Sequence, residues 1–412
     1  MTNVDKRTKK LKKRRMETLK EAGIDSKTAR RRKGNAVKTE EEKQQPSLVR
    51  VTAGIDLPFF ILVMLLLLFG LVMVFSSSHV SAFFRHNDSY YFIKRQAMWA
   101  LIGVVGMIVV SRIDYKIYAK HGIPWMAMTV SIILLVAVLF YGTEANGAKR
   151  WLFGFQPSEI AKTSVIVFFS YYVVVFAKKM KTLVTGMLIP CAILGIIAFL
   201  MLKEPHMSGT ILIVIVSFII LLIGGVSLKW LISAGILGVS GLAYIMTFTS
   251  YMAERIAMWR DPWQDARDKG FQAIQSLYAI GSGGLLGVGL GNSRQKYLYM
   301  PEPQNDFIFS ITCEELGFIG ALFIILLFVL LIWRGFVISF KSKDRFGTML
   351  VVGIVSRVAV QTILNIAVVT NFIPVTGISL PFFSYGGTAL VILLLEMGIV
   401  LNVARHSYVP KS

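Results

Sequence analysis

One carboxylate stands directly before a long apolar segment: Asp306, in the string PEPQNDFIFS. Charged side chains are costly at membrane depth, so a carboxylate retained there needs a reason. As a helix N-cap it would stabilise the first turn, whereas as a general base it would take a proton from a hydroxyl nucleophile. The helix dipole favours the ionised carboxylate and desolvation favours the neutral acid, and a base needs both influences. From these residues alone both roles stay open for Asp306, and Glu302 is the next candidate for a base.

Cations lie on the same predicted side of the membrane as this carboxylate. Arg150 and Lys162, in the string NGAKRWLFGFQPSEIAK, could bind the phosphates of an anionic headgroup. Arg294 and Lys296 are two further possible anion contacts. Glu159 lies three residues before Lys162 on one predicted helix, so the two share a face and could also form an ion pair for packing. Both interpretations stay open at this level.

Polar residues also fall inside apolar segments, where each charge needs a partner. We expect interhelical pairing, for instance of an arginine with a glutamate, at least as much as a role in catalysis or transport. The residues concerned are Glu314, Glu315, Arg357, Gln361, Asn365 and Glu396.

The elements that must position these groups are transmembrane helices. The chain has 412 residues, of which 55% are hydrophobic and only 16% charged, and lipid cannot satisfy open backbone groups. Ten apolar segments are long enough to cross roughly 30 Å of hydrocarbon. The sequence therefore predicts an all-α polytopic membrane protein with spans at 57–75, 97–110, 122–141, 157–177, 183–202, 208–226, 230–248, 307–333, 347–372 and 384–404.

The amino-terminal segment 1–50 is strongly basic, with 17 Lys and Arg against 7 Asp and Glu. We interpret it as a disordered cytoplasmic tail that sets topology and touches anionic lipid, rather than as a nucleic-acid-binding segment. Lysine and arginine are more frequent in the loops on the same side as this tail, which predicts that both termini are cytoplasmic. The membrane domain would then be 51–406, followed by a short tail at 407–412.

The predicted outer loop 249–306 is much longer than the others. Trp259, Trp263 and many apolar residues in it favour ordered, amphipathic helices at the outer interface. Its glycine-rich string lacks a preceding strand and the phosphate-binding loop pattern, so we expect tight turns or a re-entrant loop rather than a nucleotide site. Cys191 and Cys313 lie in apolar context and are interpreted as buried thiols.

Several strings together carry a resemblance to one family. They are GLVMVFSSS, KRQ, NGAKRWL, QPSEIAK, QAIQSLYAIGSGGLLGVGLGNSRQK, PEPQNDFIF, EELGF and PVTGISLPFFSYGGT, spread over residues 55–405. The chain resembles the SEDS family (shape, elongation, division and sporulation), which includes FtsW, RodA and SpoVE, and is nearest the FtsW and SpoVE branch. The match departs from the common pattern at EPHMSGT, where His206 or Met207 stands near the place of an aspartate in many members. It departs again at YGGTA, which replaces a commoner ending that contains serine.

The resemblance implies a ten-span peptidoglycan glycosyltransferase of the bacterial cytoplasmic membrane, acting at the division septum. It would polymerise lipid II and work with a class B penicillin-binding protein and other divisome membrane proteins, without nucleic acid. A divalent cation, Mg²⁺ or Mn²⁺, is an optional cofactor, no nucleotide cofactor is expected, and the metal ligands are unknown. Asp306 would be the family's essential aspartate, and this resemblance together with the long outer loop favours a general base over a helix cap. The candidate substrate-binding residues are Arg150, Trp151, Gln156, Glu159, Lys162, Gln272, Gln275, Ser276, Lys296 and Glu302.

Two functions of other classes compete with this one. A flippase for lipid II would use the charges inside the spans, but such transporters often show an inverted repeat, and the sequence gives no convincing one. A divisome scaffold could use the basic tail, but it has no need for a carboxylate at the mouth of a span.

Overall fold

The computed structural model describes residues 48–49, 54–120, 122–145, 148–248, 250–268, 270–297, 299–407 and 409–410. One compact unit comprises Thr52–Ser407, and a second comprises Met1–Val51 with Tyr408–Ser412. In the second unit, two-residue strands at Leu48–Val49 and Val409–Pro410 pair antiparallel. Apart from these two strands and Ser407, the predicted tails at 1–50 and 407–412 lie outside the described residues.

The larger unit is helical, as predicted. Its helices over the described residues are α1 (Leu57–His86), α2 (Tyr91–Val110), α3 (Ile123–Tyr141), α4 (Pro157–Val175), α5 (Ile189–Lys203), α6 (Met207–Ile223), α7 (Leu228–Phe248), α8 (Ser250–Arg260), α9 (Phe271–Ser282), α10 (Ile308–Phe340), α11 (Arg345–Val369) and α12 (Gly387–Arg405). Short helical turns precede α3, follow α4, precede α5 and follow α8, at Tyr115–Ala119, Ala177–Lys179, Val184–Leu188 and Pro262–Asp265. A hairpin of two strands, Thr143–Ala145 and Ala148–Trp151, joins α3 to α4.

Eight helices of the described chain are long and apolar enough to cross a membrane, namely α1 to α4, α5 with its preceding turn, and α10 to α12. The predicted sixth span falls on the shorter apolar helix α6, Met207–Ile223, and the predicted seventh falls on α7, whose first part, Leu228–Gly238, is a shorter apolar stretch. Each of the ten predicted spans thus overlaps a helix, while the number ten itself stays a prediction.

α1 is longer than its apolar run, 57–75, suggested. α1 continues to His86 because its last turns bury small hydroxyl side chains, including Ser76, Ser77 and Ser81, which an apolar run does not reveal. At its other end, the Asp56 carboxylate accepts from the Phe59 amide at 3.1 Å and pairs with Arg334 of α10 at 2.7 Å. The cap and the ion pair fix where α1 begins.

The predicted loop 249–306 contains the expected helices, α8 and α9, followed by the glycine-rich string. That string packs against a break in α10 at Gly317, whose φ is 68°. A Cβ on Gly287 would lie only 2.2 Å from the Glu315 carbonyl oxygen, so glycine is required for the approach. The Val288 and Gly289 amides donate to the carbonyls of Glu314 and Glu315 at 3.0 Å each. The loop therefore satisfies backbone groups that the broken helix leaves open.

Both cysteines are free thiols, as interpreted from their apolar context. Cys313 is buried, whereas Cys191 is only half-buried.

Candidate active site

A polar cavity of about 1170 Å³ is lined by the ends of α4, α6, α10, α11 and α12 and by the segments between them. Eight of the eleven predicted site residues line it. They are Arg150, Trp151, Gln156, Glu159, Lys162, Gln272, Glu302 and Asp306. Groups that are distant in sequence are thus brought to one space.

Asp306 lies two residues before α10, and its side chain does not cap that helix. The N-cap residue is Phe307, and no side chain caps the helix there. Instead, the Asp306 carbonyl accepts from the Asn365 amide at 2.8 Å. The carboxylate faces Gly377, where an added Cβ would lie 3.2 Å from Oδ2. Among the described residues the carboxylate accepts no hydrogen bond, which leaves it available to a ligand.

The surroundings of Asp306 set its protonation. Burial raises the pKa of this carboxyl from 3.8 to about 6. The positive charges of Arg150 and Arg255 act in the opposite direction, and the negative charge of Glu302 adds to the increase. A carboxylate with a pKa near 6 is ionised at neutral pH and still accepts a proton readily, which is the compromise that a general base requires.

The segment that carries Asp306 is fastened to the loop before α12. The Tyr385 amide donates to the Gln304 carbonyl at 2.8 Å, and the Ser384 hydroxyl donates to the Asn305 carbonyl at 2.7 Å. From α11, the Gln361 amide reaches the Ser379 carbonyl at 2.9 Å. Gln361 and Asn365, two polar side chains of α11, therefore help to hold the cavity wall in place.

The hairpin between α3 and α4 brings Arg150 to the cavity. Its guanidinium donates to the main-chain carbonyl of Glu204 at 3.3 Å and to that of Pro205, at the corner between α5 and α6. Arg255 of α8 donates to the Val375 carbonyl. Five cations and three carboxylates line the cavity, so an anionic ligand is favoured. These charged residues are Arg95, Arg150, Lys162, Arg255 and Arg357, and Glu159, Glu302 and Asp306.

Glu302 joins the cavity to α1. Its carboxylate lies 3.5 Å from the Arg85 guanidinium and accepts from the Asn305 amide at 2.8 Å. Among the described residues, no group of three or more His, Cys, Asp and Glu side chains is arranged to hold a metal ion.

Within the helices, the charges pair as predicted. Arg357 of α11 bridges Glu159 of α4 at 2.7 Å and Glu396 of α12. Lys162 lies 2.6 Å from the second oxygen of Glu159, and the Thr163 hydroxyl donates to Glu396 at 2.6 Å. The expected arginine–glutamate pairing is confirmed. Glu159, Lys162 and Arg357 also line the cavity. The ion-pair network therefore both joins the helices and forms part of the cavity wall.

Three predicted binding residues lie elsewhere. Lys296 is fully buried, and its ammonium lies 2.8 Å from the Glu315 carboxylate. The Ser276 hydroxyl is buried and donates to the Val369 carbonyl at 2.6 Å. Gln275 is half-buried on α9 and does not line the cavity. We name the buried group of Ser76, Ser293, Lys296, Glu314 and Glu315 the internal cluster.

Sequence reasoning missed several residues at or beside the cavity, including Arg95, Arg255, His206 and Glu204. Arg255 lies in the predicted outer loop 249–306 but was not among the candidate residues. His206 was noted as a departure from a family pattern without a role, and burial lowers its pKa from 6.5 to about 3. Glu204 is 1% exposed, and neither of its carboxylate oxygens has a hydrogen-bond partner among the described residues. Only the fold reveals that these side chains face the same region as Arg150 and Lys162.

The helices and the cation-rich cavity define a multi-pass membrane protein with a polar site. A family model described as cell cycle protein, which covers FtsW, RodA and SpoVE, matches residues 56–409. The chain belongs to this family. It is 40% identical over 359 residues to the stage V sporulation protein E of Bacillus subtilis (strain 168), covering 85% of this chain and 97% of that protein. It is 38% identical over 362 residues to a probable peptidoglycan glycosyltransferase FtsW of Geobacter sp. (strain M18), covering 87% and 99%.

Solved structures share the fold. A chain from a structure of a peptidoglycan synthase complex that coordinates polymerization and crosslinking superimposes with a TM-score of 0.69 and 26% identity, covering 86% of this chain and 99% of that one. The rod shape determining protein RodA of Thermus thermophilus superimposes with a TM-score of 0.64 and 23% identity, covering 86% and 98%. The second likeness supports the fold alone.

Proposed function

We propose that this protein is a peptidoglycan glycosyltransferase that polymerises lipid II into glycan strands during cell division. The observation that carries the proposal is the cavity in which the Asp306 carboxylate, without a capping role, lies among five cations. The relatives named as probable peptidoglycan glycosyltransferase FtsW support the same reaction class.

The charge of the cavity fits a lipid-linked donor. We infer that both termini are cytoplasmic and that the cavity opens at the outer face, where nucleotide sugars are scarce. A donor there must carry its own leaving group, and a lipid pyrophosphate does so. Arg150 and Lys162 would bind this pyrophosphate and stabilise the negative charge that develops as it departs.

The acceptor is a sugar hydroxyl, which is a poor nucleophile until it loses its proton. In the proposed step, the hydroxyl oxygen attacks the anomeric carbon of the donor while the bond from that carbon to the pyrophosphate oxygen breaks. The proton passes to Asp306, and undecaprenyl pyrophosphate leaves. A single direct displacement inverts the anomeric centre, and general base assistance is typically worth about 10²–10⁴ in rate.

The other lining residues would position the substrate. Trp151 offers a flat apolar surface, while Gln156, Gln272 and Glu302 offer hydrogen-bonding groups to sugar hydroxyls. A divalent cation, Mg²⁺ or Mn²⁺, also stays in the proposal, because Mg²⁺ is commonly held by one or two carboxylates together with substrate phosphates. Glu302 would hold it, and the ion would supply charge neutralisation at the pyrophosphate.

A class B penicillin-binding protein is the proposed partner, because a polymerase needs a transpeptidase to cross-link its product. The chain in the peptidoglycan synthase complex, at 26% identity, supports this pairing. We place the pair at the division septum together with other divisome membrane proteins.

Purified full-length protein, given lipid II in detergent with and without its transpeptidase partner, tests the proposal. Glycan strands resolved by gel electrophoresis are the expected product, and repeating the assay with a chelator reports the metal requirement. Transport of lipid II across proteoliposomes without polymer would indicate a flippase instead. Binding to the partner with neither activity would indicate a scaffold.

A further inference from the structure

Arg95 is a cation of the cavity that has no part in the reaction as proposed so far. It lies at the start of the second turn of α2, is exposed and lines the cavity. Its guanidinium lies over the ring of Tyr91, 4.2 Å from the ring centre, and donates to the hydroxyl of Tyr385. Lys162 is paired with Glu159, but among the described residues no carboxylate forms an ion pair with Arg95. Two aromatic rings therefore hold a cation whose charge is left to an anionic ligand.

The wall that carries Arg95 is fixed by the next residue of α2. The Gln96 amide donates to the Ser384 carbonyl at 3.2 Å, and the Gln96 side-chain oxygen accepts from the Gly386 amide at 3.2 Å. Both bonds tie α2 to the segment just before α12. Arg95 is thus held in place before a ligand arrives, which lowers the entropy cost of binding.

Apolar side chains follow Arg95 along this wall. Trp99 lies one turn further along α2 and packs against Gly387, where an added Cβ would lie 2.5 Å from Nε1 of the indole. Leu390 and Leu393 of α12 also line the cavity, and α12 packs along α2. A phosphate bound at Arg95 would therefore be followed by an apolar surface, which is the order of groups in a polyprenyl diphosphate.

A second wall of the cavity has the same order of groups. There Arg150 reaches the corner between α5 and α6, and Leu202 and Leu212 of these two helices line the cavity. Arg150 and Arg95 thus each adjoin an apolar surface made by a different pair of helices. This arrangement fits two lipid-linked ligands rather than one.

The proposed reaction requires two lipid-linked substrates and places their pyrophosphates differently. In the donor, the anomeric carbon is bonded directly to the pyrophosphate, so this group must lie close to the base. In the acceptor, the attacking hydroxyl belongs to the outer sugar of a disaccharide. The acceptor's own pyrophosphate must therefore lie the length of a disaccharide away from the base.

The two arginines differ in the way that this chemistry requires. The charge of Arg150 acts on Asp306, whereas Arg95 is not among the groups that do so. Tyr385 lies between Arg95 and the base. Its hydroxyl accepts from Arg95, and its amide donates to the Gln304 carbonyl at 2.8 Å, two residues before the base. A whole tyrosine residue therefore separates Arg95 from the segment that carries Asp306.

We infer that Arg95 and Trp99 form a second lipid subsite, in which the guanidinium binds the pyrophosphate of the acceptor and the indole covers the start of its polyprenyl chain. The donor keeps the site at Arg150 and Lys162. The inference rests on the proposed function and adds to it the place of the acceptor.

Equilibrium binding of undecaprenyl pyrophosphate to the purified full-length protein counts the subsites. The wild-type protein is expected to bind two molecules per chain. Arg95→Gln should weaken one of the two sites about tenfold or more, because it removes a charge-assisted contact, and Arg150→Gln should weaken the other. Lys94→Gln is the matched control and should change neither site, because Lys94 is exposed, pairs with Asp88 at 2.9 Å and does not line the cavity.

Kinetics with a donor that cannot act as acceptor assign the subsite. A lipid II analogue whose attacking hydroxyl is replaced by hydrogen serves as this donor, and unmodified lipid II is varied as the acceptor. Arg95→Gln should raise the KM for the acceptor about tenfold, with kcat and the KM for the blocked donor unchanged. If Arg95→Gln fails to fold, Tyr385→Phe keeps the cation but removes its hydrogen bond, and should weaken the same site about threefold.

Binding of one molecule per chain by the wild-type protein, equal weakening of both sites in Arg95→Gln, or an unchanged KM for the acceptor would overturn the inference. Subsites are counted from binding, whereas the proposed function is read from polymer. Two sites that depend separately on Arg95 and Arg150, in a protein that makes no glycan, would retain the second subsite and refute the proposed function. Normal polymerisation by Arg95→Gln would refute only the inference.

Discussion

The cavity around Asp306 and the internal cluster around Lys296 both contain acidic and basic side chains, but the two regions differ in whether those side chains have partners within the protein. In the internal cluster each charged group has an ion-pair or hydrogen-bond partner. Lys296 pairs with Glu315, Ser76 donates to Glu315, and Ser293 donates to Glu314. In the cavity the Asp306 carboxylate accepts no hydrogen bond from the described residues, and only the charges of Arg150, Arg255 and Glu302 act on it. A closed set of partners stabilises a structure, whereas an open set is available to a ligand.

This contrast separates a packing role from a binding role where sequence alone does not. Lys296 and Lys162 looked alike in the sequence, as basic residues near polar strings. In the structure Lys296 is fully buried and does not line the cavity, whereas Lys162 does line it. The break at Gly317 makes the difference, because it admits the loop that covers the internal cluster.

Opening the internal cluster should have the largest effect on stability. Lys296→Met leaves the Glu315 carboxylate buried without its cation, which typically costs about 3–5 kcal/mol. Thermal unfolding in detergent should show this loss, and the double variant Lys296→Met/Glu315→Gln should recover much of it. An unaltered melting temperature combined with weaker lipid II binding would return Lys296 to the binding residues.

Glu204 tests the contrast at the edge of the cavity, since burial raises the pKa of its carboxyl from 4.5 to about 8 despite the opposing charge of Arg150. The folded protein holds this proton to higher pH than the unfolded chain does, so the stability contribution is complete below about pH 4.5 and is lost as pH rises towards 8. Glu204→Gln removes the dependence. Its stability advantage over wild type should grow between pH 5 and pH 8, to at most about 4 kcal/mol. A constant difference across that range would show that the carboxyl is not buried in the neutral form.

Removing the cavity cations should weaken ligand binding more than it weakens the fold. Arg150→Gln and Lys162→Met are each expected to lower lipid II affinity about tenfold or more, because each removes a charge-assisted contact, and the double variant should lose more. Lys149→Gln changes an exposed cation on the same hairpin and serves as the control. Unchanged binding in a folded double variant would assign both residues to packing.

The titration of Asp306 should appear in the pH dependence of polymerisation. The base acts in its ionised form, and its pKa is about 6. The rate should therefore fall about tenfold per pH unit below pH 6 and level off above about pH 7. Initial rates of glycan formation from pH 4.5 to pH 8 measure this, provided that the melting temperature is followed in parallel. A flat profile through pH 6 would mean that another group accepts the proton.

Much of the fold was predictable because lipid imposes a simple rule. Uncharged runs of about twenty residues must be helices, and every predicted span overlaps one in the structure. The extension of α1 was not predictable, because Ser76 and Ser77 are polar in composition and buried only by their neighbours.

The lining of the cavity was predictable where one residue stood in an unusual context, as Asp306 does, or where residues lie close in sequence, as Glu159 and Lys162 do. It was not predictable where tertiary contacts decide. The burial of His206 depends on how α6 packs against α5. The closure over Lys296 depends on a helix break more than twenty residues away.

Replacement of Asp306 by asparagine tests the central claim most directly. Asparagine has a similar shape but cannot take the proton, and the Asp306 side chain makes no cap that the change would remove. We expect Asp306→Asn to lose glycan polymerisation by about 10²–10⁴ in rate, with expression, melting temperature and binding to the transpeptidase partner retained. A variant that polymerises lipid II at close to the wild-type rate would contradict the account, and Glu302 would then be the first alternative base to test.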